Sequence, residues 1–223
     1  MVKIQVNSQG KAYYTSAGKV LLAPESGGGS GTTDVELTRF KDDNNNEIGT
    51  HYMNFEDANG DTYKVILLDA QYRNASAQWL SDLSDVTNMP LYSNLKSSNV
   101  WEAKELATTN TQLILDYCAA RGYTSTACSH CRSQSFTVGG VTYYGQFPNM
   151  IELIYLAKHY NEFDSLDTSA SSYSSTNFSS NRNILSSSQY NTYGCWYLNS
   201  SAIAINTGKK GNYFVCPVLE IPA

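Results

Sequence analysis

The stretch SSSQYNTYGCWYLNSSAIAINTGKKGNYFVCPVLEI, residues 186–221, limits what this chain can fold into more than any other. Its apolar residues fall in short clusters around Trp196–Leu198, Ile203–Ile205 and Tyr213–Val218, separated by Asn, Ser, Thr and Gly. Clusters that short, rich in aromatic and β-branched side chains and bounded by turn formers, have the length and chemistry of strands rather than helices. The segment also lacks the Lys and Glu that cover an ordinary solvated surface. From 165 onward the charged residues are Asp167, Arg182, Lys209, Lys210 and Glu220, a net of +1, so the remaining residues carry −6 of the overall −5.

Upstream, VELTRFKDD and THYMNFEDANGDTYKVILLDAQY read as strands, with Asn59-Gly60 as the turn of a hairpin because both residues tolerate positive φ. DANGD lacks the ligand spacing of a calcium loop and is read as a turn. TNTQLILDYCAARG places Leu113, Ile114, Tyr117 and Cys118 at helical spacing and stops at Gly122. PNMIELIYLAKHY follows Pro148, with Asn149 and Glu152 spaced as a capping box. SFTVGGVTYYGQFP between the helices reads as a hairpin. Residues 165–190 hold eleven serines interrupted by Tyr173, Phe178, Ile184 and Leu185, which reads as long loops pinned by apolar anchors. The expected class is α+β: two helices packed on small, mostly antiparallel sheets with long loops.

Residues 1–24 alternate like a short two-stranded arm, too small for a core of its own. ESGGGSGTT, 25–33, is a flexible Gly/Ser linker, and 34–223 form the main domain. The start has no continuous apolar run, so no signal peptide is expected. No run approaches the roughly 20 apolar residues of a membrane span, so no membrane insertion is expected. The negative net charge argues against nucleic acid as a partner.

Catalytic signatures are sparse. GxSxG, HExxH and phosphate-loop patterns are missing. His51 sits in a strand, His130 in a Cys128–Cys131 loop, and His159 at a helix end, where it would favour the dipole. Cys128-Ser-His-Cys131 has no second pair to complete a zinc site, so two buried thiols or one local disulfide are expected, with no metal and no cofactor. Cys195 and Cys216 are the candidate nucleophiles of an enzyme reading, which is not preferred.

The order of YYGQFPNMIEL, the serine-rich stretch, LSSSQYN, CWYLN, NTGKK and YFVCPVLEI resembles the C-type-lectin-like fold of the formylglycine-generating-enzyme type, in the form used by variable proteins of diversity-generating retroelements. Phe147-Pro148 and Glu152-Leu153 match the family's helix entry. Cys195-Trp196-Tyr197 and Phe214-Val215-Cys216-Pro217-Val218 match its final strands. Leu185 stands where Trp is usual and Cys216 where Arg is usual, which places the chain in a divergent branch. The likeness covers about residues 60–223. It implies an α+β lectin-like domain whose exposed codons are rewritten at template adenines, turning Asn mainly into Tyr, Ser, Thr, Gly, Ala, Ile, Asp or Cys. By that implication Trp196, Pro148, Pro217 and Lys209 are fixed scaffold. The candidate variable, ligand-binding positions are then Asn191, Thr192, Tyr193, Gly194, Ala202, Ile203, Ala204, Thr207, Gly208, Gly211 and Asn212. The lectin sugar and calcium motifs and the paired catalytic cysteines of the enzymes do not carry over.

The 17 tyrosines, against 7 Phe and 3 Trp, suit such a surface, because tyrosine gives large contact area with little rotamer entropy. The resemblance implies a phage tail adhesin for a bacterial surface protein or glycan, joined to other virion proteins through the arm and assembled as a homotrimer. The alternatives are a bacterial surface adhesin of the same fold, a copper-dependent formylglycine-type oxidase, and a purely structural virion protein.

Overall fold

The computed structural model describes residues 32–92, 104–178, 183–199 and 202–223, with the side chains of 202–207 left out. The arm and nearly all of the linker lie outside the described residues; the last linker position, Thr33, is the first residue of a strand.

The chain runs β1 (Thr33–Lys41), β2 (Glu47–Glu56), β3 (Thr62–Leu68) and β4 (Asn74–Gln78), then α1 (Ala107–Arg121) and α2 (Thr126–Arg132). The hairpin β5 (Ser135–Val138) and β6 (Val141–Tyr144) leads into α3 (Met150–Lys158) and α4 (Phe163–Leu166). β7 (Asn183–Gln189), β8 (Gly194–Asn199), β9 (Ala202–Gly208), β10 (Asn212–Val215) and β11 (Val218–Pro222) complete it. One sheet has the order β1-β2-β3-β11 and a second β4-β10-β7-β8-β9. The class is α+β, and every described pairing is antiparallel except β10 with β7, which meet in parallel at Phe214 and Ile184.

The two-helix expectation holds for α1 and α3, and the structure adds α2 and α4. The β2–β3 turn has Gly60 at φ 89°, and Asp57 Oδ1 accepts from the amides of Asn59 and Asp61 at 2.8 and 2.9 Å, which closes the turn. The serine run departs further from expectation. Residues 183–189 are not loop but the middle strand of the second sheet, with Ser186, Ser187, Ser188 and Gln189 at most 1% exposed. Buried hydroxyls require partners. Ser188 Oγ accepts from Met150 N at 3.0 Å, Ser187 Oγ from the Asn110 side-chain amide at 3.2 Å, and Ser186 Oγ from Ser188 N at 3.1 Å. Tyr173 is 44% exposed and anchors nothing, whereas Phe178 is buried beneath the Arg73 guanidinium at 4.3 Å.

α3 lies between the sheets and is buried from Met150 to Leu156. Its apolar residues pack with Tyr52, Phe55, Val65 and Leu67 of the first sheet and Ile184, Trp196, Leu198 and Phe214 of the second. The predicted capping box is present: Asn149 Oδ1 accepts from Glu152 N at 2.8 Å, and Glu152 Oε2 from Asn149 N at 2.7 Å. Burial, reinforced by the neighbouring Glu220 carboxylate, holds the Glu152 carboxyl well above the usual range. Glu220 in turn caps α1, accepting from Ala107 N and Thr108 N, both at 2.8 Å. The opposite face of the second sheet carries α1 and α2 over Trp79, Leu185, Cys195 and Val215.

Candidate functional site at the end of the second sheet

Three segments meet at one end of the second sheet: the β7–β8 loop, the β9–β10 turn and the stretch after β4. The loop is shaped from within. Asn191 Oδ1 accepts from Tyr193 N and Gly194 N, both at 2.9 Å, an Asx turn that sets the path of the next two residues. Tyr193 stands at the tip, 65% exposed. Its carbonyl accepts from Lys209 N at 3.1 Å, tying loop to turn, and Thr192 Oγ1 donates to Asp85 Oδ2 at 2.9 Å.

Beneath lies Lys209, with none of its side chain exposed. Its ammonium donates to Ser84 O and Gln189 Oε1, both at 2.6 Å, sits 3.8 Å from Asp85 Oδ1, and lies 4.8 Å from the centre of a Trp79 ring. Loss of water pulls its pKa down from 10.5 to about 8 despite the nearby carboxylate. Gln189 Oε1 also accepts from Val86 N at 2.9 Å, so one buried amide joins the central strand, the lysine and the segment after β4.

Around this frame runs a tyrosine-rich surface. Tyr197 and Tyr213 lie 6.2 Å apart, and Tyr117 and Tyr123 of the α1 end lie 6.0 Å apart. All four are partly exposed and pack against the cluster containing Trp79 and Leu185. Leu83, 40% exposed, adds an apolar edge. Asp82 pairs with Lys210 at 3.7 Å, and the Leu83 amide, the Tyr123 hydroxyl and that lysine hold its carboxyl below the usual range.

The sequence-derived positions divide on this frame. Thr192, Tyr193, Gly208 and Asn212 stand where a changed side chain meets open surface or a solvent-facing neighbour; a Cβ on Gly208 would meet nothing within 4 Å. Asn191 holds the loop by its own side chain, Gly194 is buried, and a Cβ on Gly211 would run into the Tyr213 ring. Ala202, Ile203, Ala204 and Thr207 lie on β9, in register with Asn199, Leu198, Tyr197 and Cys195. The scaffold positions Trp196, Pro148 and Pro217 are buried. Sequence reasoning missed Ser84, Asp85, Gln189 and Trp79, which lie up to 130 residues from Lys209 in the chain and carry no motif.

The five cysteines are buried and none is in a disulfide, so Cys128 and Cys131 are two thiols on α2. Burial pushes Cys128, Cys195 and Cys216 up to about 12, which leaves hardly any thiolate near neutrality. His159 does end α3, but its ring pairs with Asp34 at 2.8 Å and Glu162 at 3.3 Å. His130 lies on α2, hydrogen-bonded to Tyr72 O at 2.8 Å. Compared with protein families, curated proteins and solved structures, the chain matches none.

Proposed function

We propose that the chain is a receptor-binding protein whose contact surface is the tyrosine-rich end of the second sheet, renewed by sequence diversification on a constant frame. The observation that carries this reading is the contrast at adjacent positions: Tyr193 is 65% exposed, while Trp196 and Lys209 beside it are wholly buried. A surface that must change without unfolding its carrier needs that arrangement, since substitutions at exposed sites away from caps and cores cost at most a few tenths of a kcal/mol. Tyrosines on a rigid sheet supply broad, adaptable contact, as they do in antibody loops.

In this reading the scaffold is C-type-lectin-like, of the formylglycine-generating type, and the protein is a variable protein of a diversity-generating retroelement. It sits on a phage tail as a trimer, attached by residues 1–24, and binds a protein or glycan on the bacterial surface. The motif order from Phe147-Pro148 to Cys216-Pro217 supports the family, and the burial of Pro148, Trp196 and Pro217 suits residues that stay fixed. The test is adhesion of the fluorescently labelled chain to a panel of bacterial strains. Binding to a subset of strains, lost in Tyr193→Ala and Tyr213→Ala proteins of unchanged melting temperature, is the expected result. Absence of binding to every strain, or binding indifferent to both substitutions, would defeat the proposal.

A further inference from the structure

α1 and α3 start side by side, and a buried carboxyl caps each. Asn149, the N-cap of α3, donates from its side-chain amide to Glu105 O, just ahead of α1, at 3.0 Å. Glu152, wholly buried, closes the first turn of α3. Glu220 of β11, 7% exposed, accepts from Ala107 N and Thr108 N at the start of α1. The Glu152 and Glu220 carboxyls lie within hydrogen-bonding reach of each other.

Two carboxylates are acceptors only, so a bond between them needs a proton on one. The donors around them decide which one carries it. Both Glu220 oxygens accept from amides at a helix start, where the partial positive charge favours an anion. Glu152 Oε2 accepts from Asn149 N at 2.7 Å, but Oε1 is buried and meets no donor among the described residues. A buried carboxylate oxygen without a donor is costly, whereas an O–H donating from Oε1 to Glu220 satisfies both groups. The other groups nearby leave the proton in place. Tyr52 of β2 donates to Glu152 O at 3.2 Å, Tyr63 of β3 lies beside Glu220, and burial raises both hydroxyls above their ordinary 10. The Cys216 thiol near Tyr52 is pushed up to about 12, and burial lifts the Glu105 carboxyl above the usual range. Arg132 of α2, on the same side as Tyr63, donates to Gln146 Oε1 at 3.2 Å and Gln112 Oε1 at 2.7 Å.

We infer that Glu152 donates one retained proton to the Glu220 carboxylate, forming a latch that holds the starts of α1 and α3 together and opens when that proton leaves. Burial of both groups, reinforced at Glu152 by the neighbouring carboxylate, lifts the pair above the usual range, so it keeps a proton that the unfolded chain releases near 4.5. The latch's contribution to stability is therefore full below 4.5 and falls as pH rises toward the pair's raised value. There two carboxylates face each other out of water, and the start of α1 lets go. Tyr117 of the tyrosine-rich surface lies further along the same helix, about 15 Å from Ala107.

The test is an NMR pH titration of the full chain, isotope-labelled at its glutamate carboxyls, with amide hydrogen exchange measured on the same samples. At neutral pH the inference expects one of the two carboxyl signals in the protonated position, missing in Glu152→Gln, and the Glu220 signal in the ionised one. Glu152→Gln replaces the acid O–H by an amide N–H, so it should keep the protection of the Ala107 and Thr108 amides at every pH. Wild type should lose that protection by about tenfold or more as the protonated signal ionises. Glu220→Gln offers one carbonyl to two amides and should lose protection already at neutral pH; if it fails to fold, the titration and Glu152→Gln still decide. Both carboxyls ionised at neutral pH, a protonated signal that survives in Glu152→Gln, or the same pH profile of protection in wild type and Glu152→Gln would overturn the inference.

Discussion

Replacing Lys209 by Met keeps an unbranched apolar stem and removes the ammonium that lies over Trp79. Three groups face the change. Gln189 Oε1 loses a 2.6 Å bond but keeps Val86 N at 2.9 Å, and Asp85, whose side chain is 42% exposed, can recruit water. Ser84 O, also bonded at 2.6 Å, is left without its donor. An orphaned acceptor costs about 1–3 kcal/mol when fully buried, and Ser84 is partly buried, so the lower end of that range applies. Loss of the cation–ring contact adds about 0.5–2 kcal/mol, and release from burying a charge offsets part of both. The net expectation is a loss of about 2 kcal/mol, which lowers the melting temperature of a chain this size by about 4–8 °C. The pH dependence follows from the lowered pKa. The unfolded chain keeps the Lys209 proton until about 10.5, whereas the folded chain releases it near 8. Between those values the unfolded state binds more protons, so the wild type gains stability relative to Lys209→Met as pH rises from 8 to 10.5. Circular-dichroism melts of both proteins from pH 6 to 10.5 measure each quantity. A melting temperature within 1 °C of wild type at pH 7, or a gap that narrows above pH 8, would refute the reasoning that Lys209 clamps the loop.

Three further outcomes are expected. Trp196→Ala should cost about 3–5 kcal/mol by chemical denaturation, because the indole is wholly buried, whereas Tyr193→Ala should change stability by about 0.5 kcal/mol or less; comparable losses would contradict the division into frame and surface. Glu152, with its raised pKa, keeps a proton in the fold that the unfolded chain gives up near 4.5, so its contribution to stability falls as pH rises above that value. Glu152→Gln should therefore melt higher than wild type at pH 7.5 and converge with it at pH 4, and a constant difference would count against the protonated carboxyl. Ellman's reagent at pH 8 should leave all five thiols unmodified until the protein unfolds; rapid modification of native Cys195 or Cys216 would return attention to the oxidase reading.

Local signals marked what local physics decides. Asn59-Gly60 marked a turn, in which Gly60 alone takes positive φ and the Asn59 amide is held by Asp57, and the Asn149–Glu152 spacing marked a helix start because the cap needs both ends. The serine run misled because serine favours loops by its own propensity, yet residues 183–189 have tertiary partners on α1 and α3 that satisfy their hydroxyls. α2 carried no apolar periodicity: in TACSHCR the buried residues are Ala127, Cys128 and Cys131, small groups that a pattern search passes over. Thr192 and Tyr193 were named from the sequence, and the structure places both on the β7–β8 loop. Their supports were not legible there, since Ser84, Gln189 and Trp79 reach Lys209 only through the sheet order that brings β4, β10 and β7 together.

The most direct measurement is deep sequencing of the encoding DNA from a growing population, across codons 186–216 and the flanking genome. The account predicts substitutions concentrated at codons 192, 193, 208 and 212 and along β9, matching adenines of a nearby template repeat, with Trp196, Lys209 and Pro217 unchanged. An invariant segment with no reverse transcriptase gene close by would contradict it.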